Sequence, residues 1–240
     1  MARLPRLCIA GQAHLLIQRV LQGQAVFADA ADRGAYLACL GEAAARHGVA
    51  LHGYGLMASE VRLLLTPPDP EALGRMVQFI GRRFVAGFNR RHGRRGGLWE
   101  GRFRATVIEP IEYFMPCLHF VEGAAEGVAP DPAGEVVPWS SASHHSGLRA
   151  DAFITEHAGF WSLGNTPFDR EAAHRRALLK PLSVAHAERI AEASLHGWVL
   201  GSEAFVRGLG GQVDRRLRPL APGRPTQVVR AKSANRSGPD

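Results

Sequence analysis

Apolar and polar positions alternate or recur along the first 125 residues in a readable order. AHLLIQRV, residues 13–20, reads as a first strand. A helix follows to about His47. Asp29 or Asp32 is available as its cap, Gly48 as its stop, and Tyr36, Leu37, Leu40 and Ala44 recur at helical spacing. A second strand over 49–57 and a third over 61–66 are joined by a few residues around Ser59, which predicts an antiparallel hairpin. In the third strand Val61, Leu63 and Leu65 share one face, and Glu60, Arg62 and Leu64 the other. A helix starting near Pro70 places Leu73, Met76, Val77, Ile80, Phe84 and Phe88 on one stripe, with Arg75, Arg82, Arg83 and Arg90 opposite. A strand over 103–108 and a helix over 110–122 complete the run.

The order β-α-β-β-α-β plus one helix predicts an α+β fold of the ferredoxin-like type, an antiparallel four-stranded sheet with helices on one face. The expected organisation is a palm domain over 1–125, a loop-rich linker over 126–165, a helical extension over 166–216 and a basic disordered tail over 217–240. Within the extension, helices over 167–180, 184–196 and 203–216 have Thr166, Ser183 and Ser202 as caps.

The 240-residue chain is 46% hydrophobic, enough for a sizeable core, and no apolar run reaches the ~18 residues of a membrane span. Its start lacks the apolar block of a signal peptide. Cys8, Cys39 and Cys117 are few, odd in number and far apart. They suit a reducing cytoplasm rather than a disulfide framework or a zinc motif.

The formal net charge is +7, and its distribution matters more than its size. Residues 81–104 carry eight Arg against Glu100 alone, and the tail is also basic, so the rest of the chain is net acidic. Positive charge concentrated in this way attracts polyanions, usually phosphate backbones.

The stretches HGYGLMASEVRLLLTP, FIGRRFVAGFNRRHGRRGGLWEGRFR, EYFMPCLHFVEG and VPWSS occur in that order. Together they resemble the REP-associated tyrosine transposases, a branch of the HUH single-tyrosine transposases of bacterial insertion sequences. The resemblance runs from about Pro5 to Ser141 and weakens beyond it. It implies a ferredoxin-like palm, single-stranded hairpin DNA as partner, and Mg²⁺ or Mn²⁺ held by two His on a strand. It further implies a Tyr on the following helix that attacks a DNA phosphate, and a polar residue one turn later that completes the metal site.

Carried over residue by residue, the two His positions fall on Glu60 and Arg62, the Tyr position on Phe120, and the last ligand on Ala124. All four depart from the pattern. Glu60 could still offer a carboxylate, but Arg62 has no lone pair to give a metal. Phe120 has no atom that attacks phosphorus. The expectation is therefore an inactive site with no metal, an ion pair between Glu60 and Arg62, and Phe120 packed nearby.

Tyr113 precedes Phe120 by seven residues, about 10 Å along a helix, too far for in-line attack from the same place. His14, His52 and His119 read as structural residues. His144 and His145 are neighbours whose side chains diverge, which disfavours a shared metal.

DNA binding can outlast cleavage. Arg82, Arg83, Arg90, Arg91, Arg94, Arg95, Arg102 and Arg104 are interleaved with Phe84, Phe88, Trp99 and Phe103. Arg with aromatics is the composition of a single-strand groove. Phe84 and Phe88 belong to the apolar stripe, so Trp99 and Phe103 are the better stacking candidates. PGRP, residues 222–225, is a short match to a minor-groove arm. Alternatives are an active metal-dependent enzyme using a non-standard site, a duplex-binding regulator with a C-terminal helix-turn-helix, and a relic without function. RNA as partner and a homodimer both stay open.

Overall fold

The computed structural model describes residues 6–21, 24–123, 128–130, 136–213 and 215–219. A four-stranded antiparallel sheet is formed by β1 (His14–Arg19), β2 (Ala50–Leu56), β3 (Glu60–Thr66) and β4 (Arg104–Val107), in the spatial order β2-β3-β1-β4. This order, with helices α1 (Ala30–His47) and α2 (Ala72–Arg91) as the two crossovers, is the split βαβ arrangement. The α+β class read from the pattern is the class observed.

Local chemistry accounts for the boundaries. Asp29 is the α1 cap, accepting from the Asp32 amide at 3.0 Å. Gly48 ends the helix at φ 64, a conformation that favours glycine. Asp32 lies inside the first turn instead. There its carboxylate accepts from the Ala28 amide at 2.9 Å.

The crossover helices pack on one face of the sheet. Tyr36 and Leu40 of α1 and Met76, Ile80, Phe84 and Phe88 of α2 meet Val61, Leu63 and Leu65 of β3 there. The other face is covered too. Helix α3 (Pro110–Glu122) lies on it, and its Phe114, Cys117, Leu118 and Val121 pack with Leu15, Ile17 and Leu64. The alternation read along β3 therefore divides two cores, not core from solvent.

After α3 come a two-stranded ribbon, β5 (Val128–Pro130) and β6 (Val136–Pro138), then α4 (Ala142–His145), α5 (Ala158–Trp161), α6 (Pro167–Leu178), α7 (Val184–His196) and α8 (Glu203–Leu209). Thr166, Ser183 and Ser202 each cap their helix as expected. Residues 139–155 are built onto the β2 edge: Leu56 N donates to Trp139 O, Ser141 N to Tyr54 O, and Thr155 N to Leu51 O. Ile190 and Ala193 of α7 join the second core, and Leu209 at the end of α8 joins a third with Leu7, Ile9 and Val107. Among the described residues no helix is long and apolar enough to cross a membrane.

Candidate functional site

Glu60 and Arg62 lie on the sheet face beneath α3, and their ion pair is formed. Arg62 Nε donates to Glu60 Oε1 at 2.6 Å. Arg62 Nη1 donates to the Phe120 carbonyl at 2.8 Å, and the guanidinium lies 3.9 Å over the Phe120 ring. The other Glu60 oxygen accepts from Arg19 Nε at 3.2 Å. Both carboxylate oxygens are thus engaged by arginine. Phe120 falls in the last turn of α3, where carbonyls lack intrahelical partners, so Arg62 caps the helix and its charge suits the negative end. The arrangement is closed on itself. Arg62 spends its donors on the protein. Ala124 lies outside the described residues.

The three tyrosines are all buried. Tyr113 is fully buried, its hydroxyl has no partner among the described residues, and burial, followed by Glu112, pushes its pKa up to about 12. Burial also raises the Tyr36 hydroxyl. Burial and then Asp151 raise that of Tyr54, which donates to Asp151 at 2.7 Å.

The sheet register extends the site sideways. Ile17 of β1 stands opposite Arg62 of β3 on one side and Arg104 of β4 on the other. Arg62 and Arg104 therefore flank one apolar row of the same sheet face. Beyond Arg104, at the β4 edge, a cleft of about 360 Å³ is lined by Arg6, Arg102, Arg104, His196, Trp198 and Arg215, among others. Burial and then the charge of Arg102 lower the Arg6 pKa.

The arginines of 81–104 divide into two groups. Arg83 pairs with Glu42, and Arg91 with Asp29 and Asp32, so α1 supplies acids that neighbouring sequence positions do not. Arg94 donates to Gln24 at 2.5 Å. Among the described residues, no ion pair engages Arg82, Arg90, Arg95, Arg102 or Arg104. Phe84 and Phe88 are in the core. Phe103 is buried with Arg6 over its ring at 4.1 Å, and Trp99 is partly buried against Tyr36.

His14 and His52 are buried and tie backbone segments together. His14 bridges the Ile9 amide and the Gln12 carbonyl. His52 bridges Thr155 O and Thr66 Oγ1. Burial lowers the pKa of each to about 4. His144 and His145 do diverge: His144 accepts from the Asp151 amide, and His145 turns to Glu122.

Glu122, His145 and His174 form a buried cluster that sequence reasoning missed. The Glu122 carboxylate is opposed by burial, but hydrogen bonds from His145 and His174 hold its pKa down to about 2. The three residues lie 23 and 29 positions apart on α3, α4 and α6, and no spacing motif announces them.

The fold is α+β, and one face of its sheet carries the Glu60–Arg62 pair beneath α3. Solved structures of similar fold include a REP-associated tyrosine transposase bound to a REP hairpin, 11% identical over 51% of this chain and 71% of the other, with a TM-score of 0.44. Another is a protein from Deinococcus radiodurans described as a transposase, 21% identical over 47% of this chain and 89% of the other, with a TM-score of 0.36. No family model and no curated protein matches the chain.

Proposed function

We propose that this is a transposase-related DNA-binding protein that recognises single-stranded hairpin DNA and does not cleave it. The observation that carries the reading is the state of Arg62. It is bonded to Glu60 and to the Phe120 carbonyl, at the sequence position that the resemblance to the transposases gives to a metal ligand. Phosphodiester cleavage through a phosphotyrosine needs a polarised phosphate and a hydroxyl nucleophile. Arg62 and Phe120 supply neither the ion nor the hydroxyl. Binding needs only cations on an accessible surface. Arg82, Arg90, Arg95 and Arg102 are exposed, and Arg104 borders the cleft beside β4.

The test is a labelled single-stranded hairpin incubated with the purified chain and Mg²⁺ or Mn²⁺, resolved on native and denaturing gels. The reading expects a retarded native complex and no covalent band. A protein–DNA adduct that survives denaturation would overturn the claim of inactivity. Its loss in Tyr113→Phe would assign the chemistry to that residue.

A further inference from the structure

Glu122 raises a question of charge. Its side chain is completely enclosed at the end of α3. It accepts from the Ser141 hydroxyl at 2.5 Å, from His145 Nδ1 at 2.6 Å and from His174 Nε2 at 2.7 Å. Among the described residues no Arg or Lys pairs with it. An ionised carboxylate buried without a counter-charge is costly. Imidazole in water is mostly neutral at pH 7, so neutral rings leave the site with one net negative charge. The balance must come from an extra proton on a ring or from a bound cation.

The donor set favours a cation of a particular kind. Mg²⁺ and Ca²⁺ take oxygen ligands, whereas two imidazoles and one carboxylate suit zinc and its neighbours. The candidate ligand atoms all lie within 4.8 Å of one another. The present contacts are hydrogen bonds. An ion about 2.0–2.1 Å from each donor would space the donors by roughly 3.3 Å, so each ring retreats by less than about 1 Å. Helix α6 can make that movement. His174 is its one buried residue among those described, and the rest of the helix is exposed or half-buried.

We propose that Glu122, His145 and His174 form a site for one divalent transition-metal ion of the zinc class, clamping α4 and α6 to the end of α3. On binding, the nitrogen that now donates to Glu122 gives up its proton and ligates, and a neutral ring takes a proton on its other nitrogen, His145 Nε2 or His174 Nδ1, so that it changes tautomer with no net proton release. Any extra imidazolium proton leaves to solvent. These residues are separate from Glu60 and Arg62, so the proposal does not depend on the DNA reading.

The test uses the full chain, stripped with a chelator and titrated with ZnCl₂ by calorimetry and thermal melting, with MgCl₂ as control. CoCl₂ provides a visible-spectrum probe of tetrahedral coordination. The expected result is one zinc per chain, a raised Tm and cobalt bands, all lost in His174→Gln. Glutamine keeps a donor to Glu122 and therefore the fold, but supplies no imidazole. Absence of zinc uptake by the wild type, or equal uptake by His174→Gln, would overturn the proposal and leave the cluster as a hydrogen-bonded lock.

Discussion

At the residue scale, one guanidinium does the work of several groups. Arg62 neutralises Glu60, caps α3 and covers Phe120. Arg62→Ala should lower stability by about 1–3 kcal/mol, the worth of hydrogen bonds to a charged group, measured by urea unfolding. Phe120→Tyr alone should yield no covalent DNA adduct, because the Arg62 guanidinium has no lone pair to give a metal. Two buried histidines set a pH dependence. His14 and His52 have folded-state pKa values lowered to about 4, against an ordinary value near 6.5. Between those limits the unfolded chain binds protons that the folded chain refuses. Their stabilising contribution is therefore full above about pH 6.5 and is lost as pH falls towards 4. Glu122 adds a lower window: its contribution is full above the ordinary value of 4.5 and is lost as pH falls through about 2. Melting temperature followed from pH 8 to pH 3 should fall in the upper window first, and less steeply in His52→Gln.

At the element scale, close approach decides what can change. A methyl group at Gly55 of β2 would lie 2.0 Å from the Val121 carbonyl of α3. Gly55→Ala should therefore force strand and helix apart and cost about 3 kcal/mol by overpacking, again read by urea unfolding. Such contacts mark the limit of what the chain alone discloses. Strand alternation and caps at Asp29, Gly48, Thr166, Ser183 and Ser202 are local, so β1 to α3 and the C-terminal helices were legible. The last helix stops at Leu209 rather than near 216, because Gly208, Gly210 and Gly211 weaken its continuation. The docking of residues 139–155 on β2 depends on partners about 85 to 105 positions away and left no periodic signal. The Glu60–Arg62 pair was legible because strand neighbours two apart share a face. The Glu122 cluster was not, since its members meet only in three dimensions.

At the scale of the whole molecule, the fold divides an arginine-rich run that is undivided along the chain. Acids on α1 neutralise Arg83 and Arg91, whereas among the described residues no ion pair engages Arg82, Arg90, Arg95, Arg102 or Arg104. In a salt titration of single-strand binding, Arg95→Ala or Arg102→Ala should each reduce the log–log slope by about 0.7, one phosphate contact, if the residue touches the backbone. Arg83→Ala should change it little. The measurement that tests the central claim most directly is affinity for a single-stranded DNA hairpin, against a scrambled strand and a duplex, across a salt series. The account predicts a preference for the hairpin that persists at moderate salt. Weak binding that ignores strand structure and vanishes as salt rises would contradict it, leaving only unspecific charge.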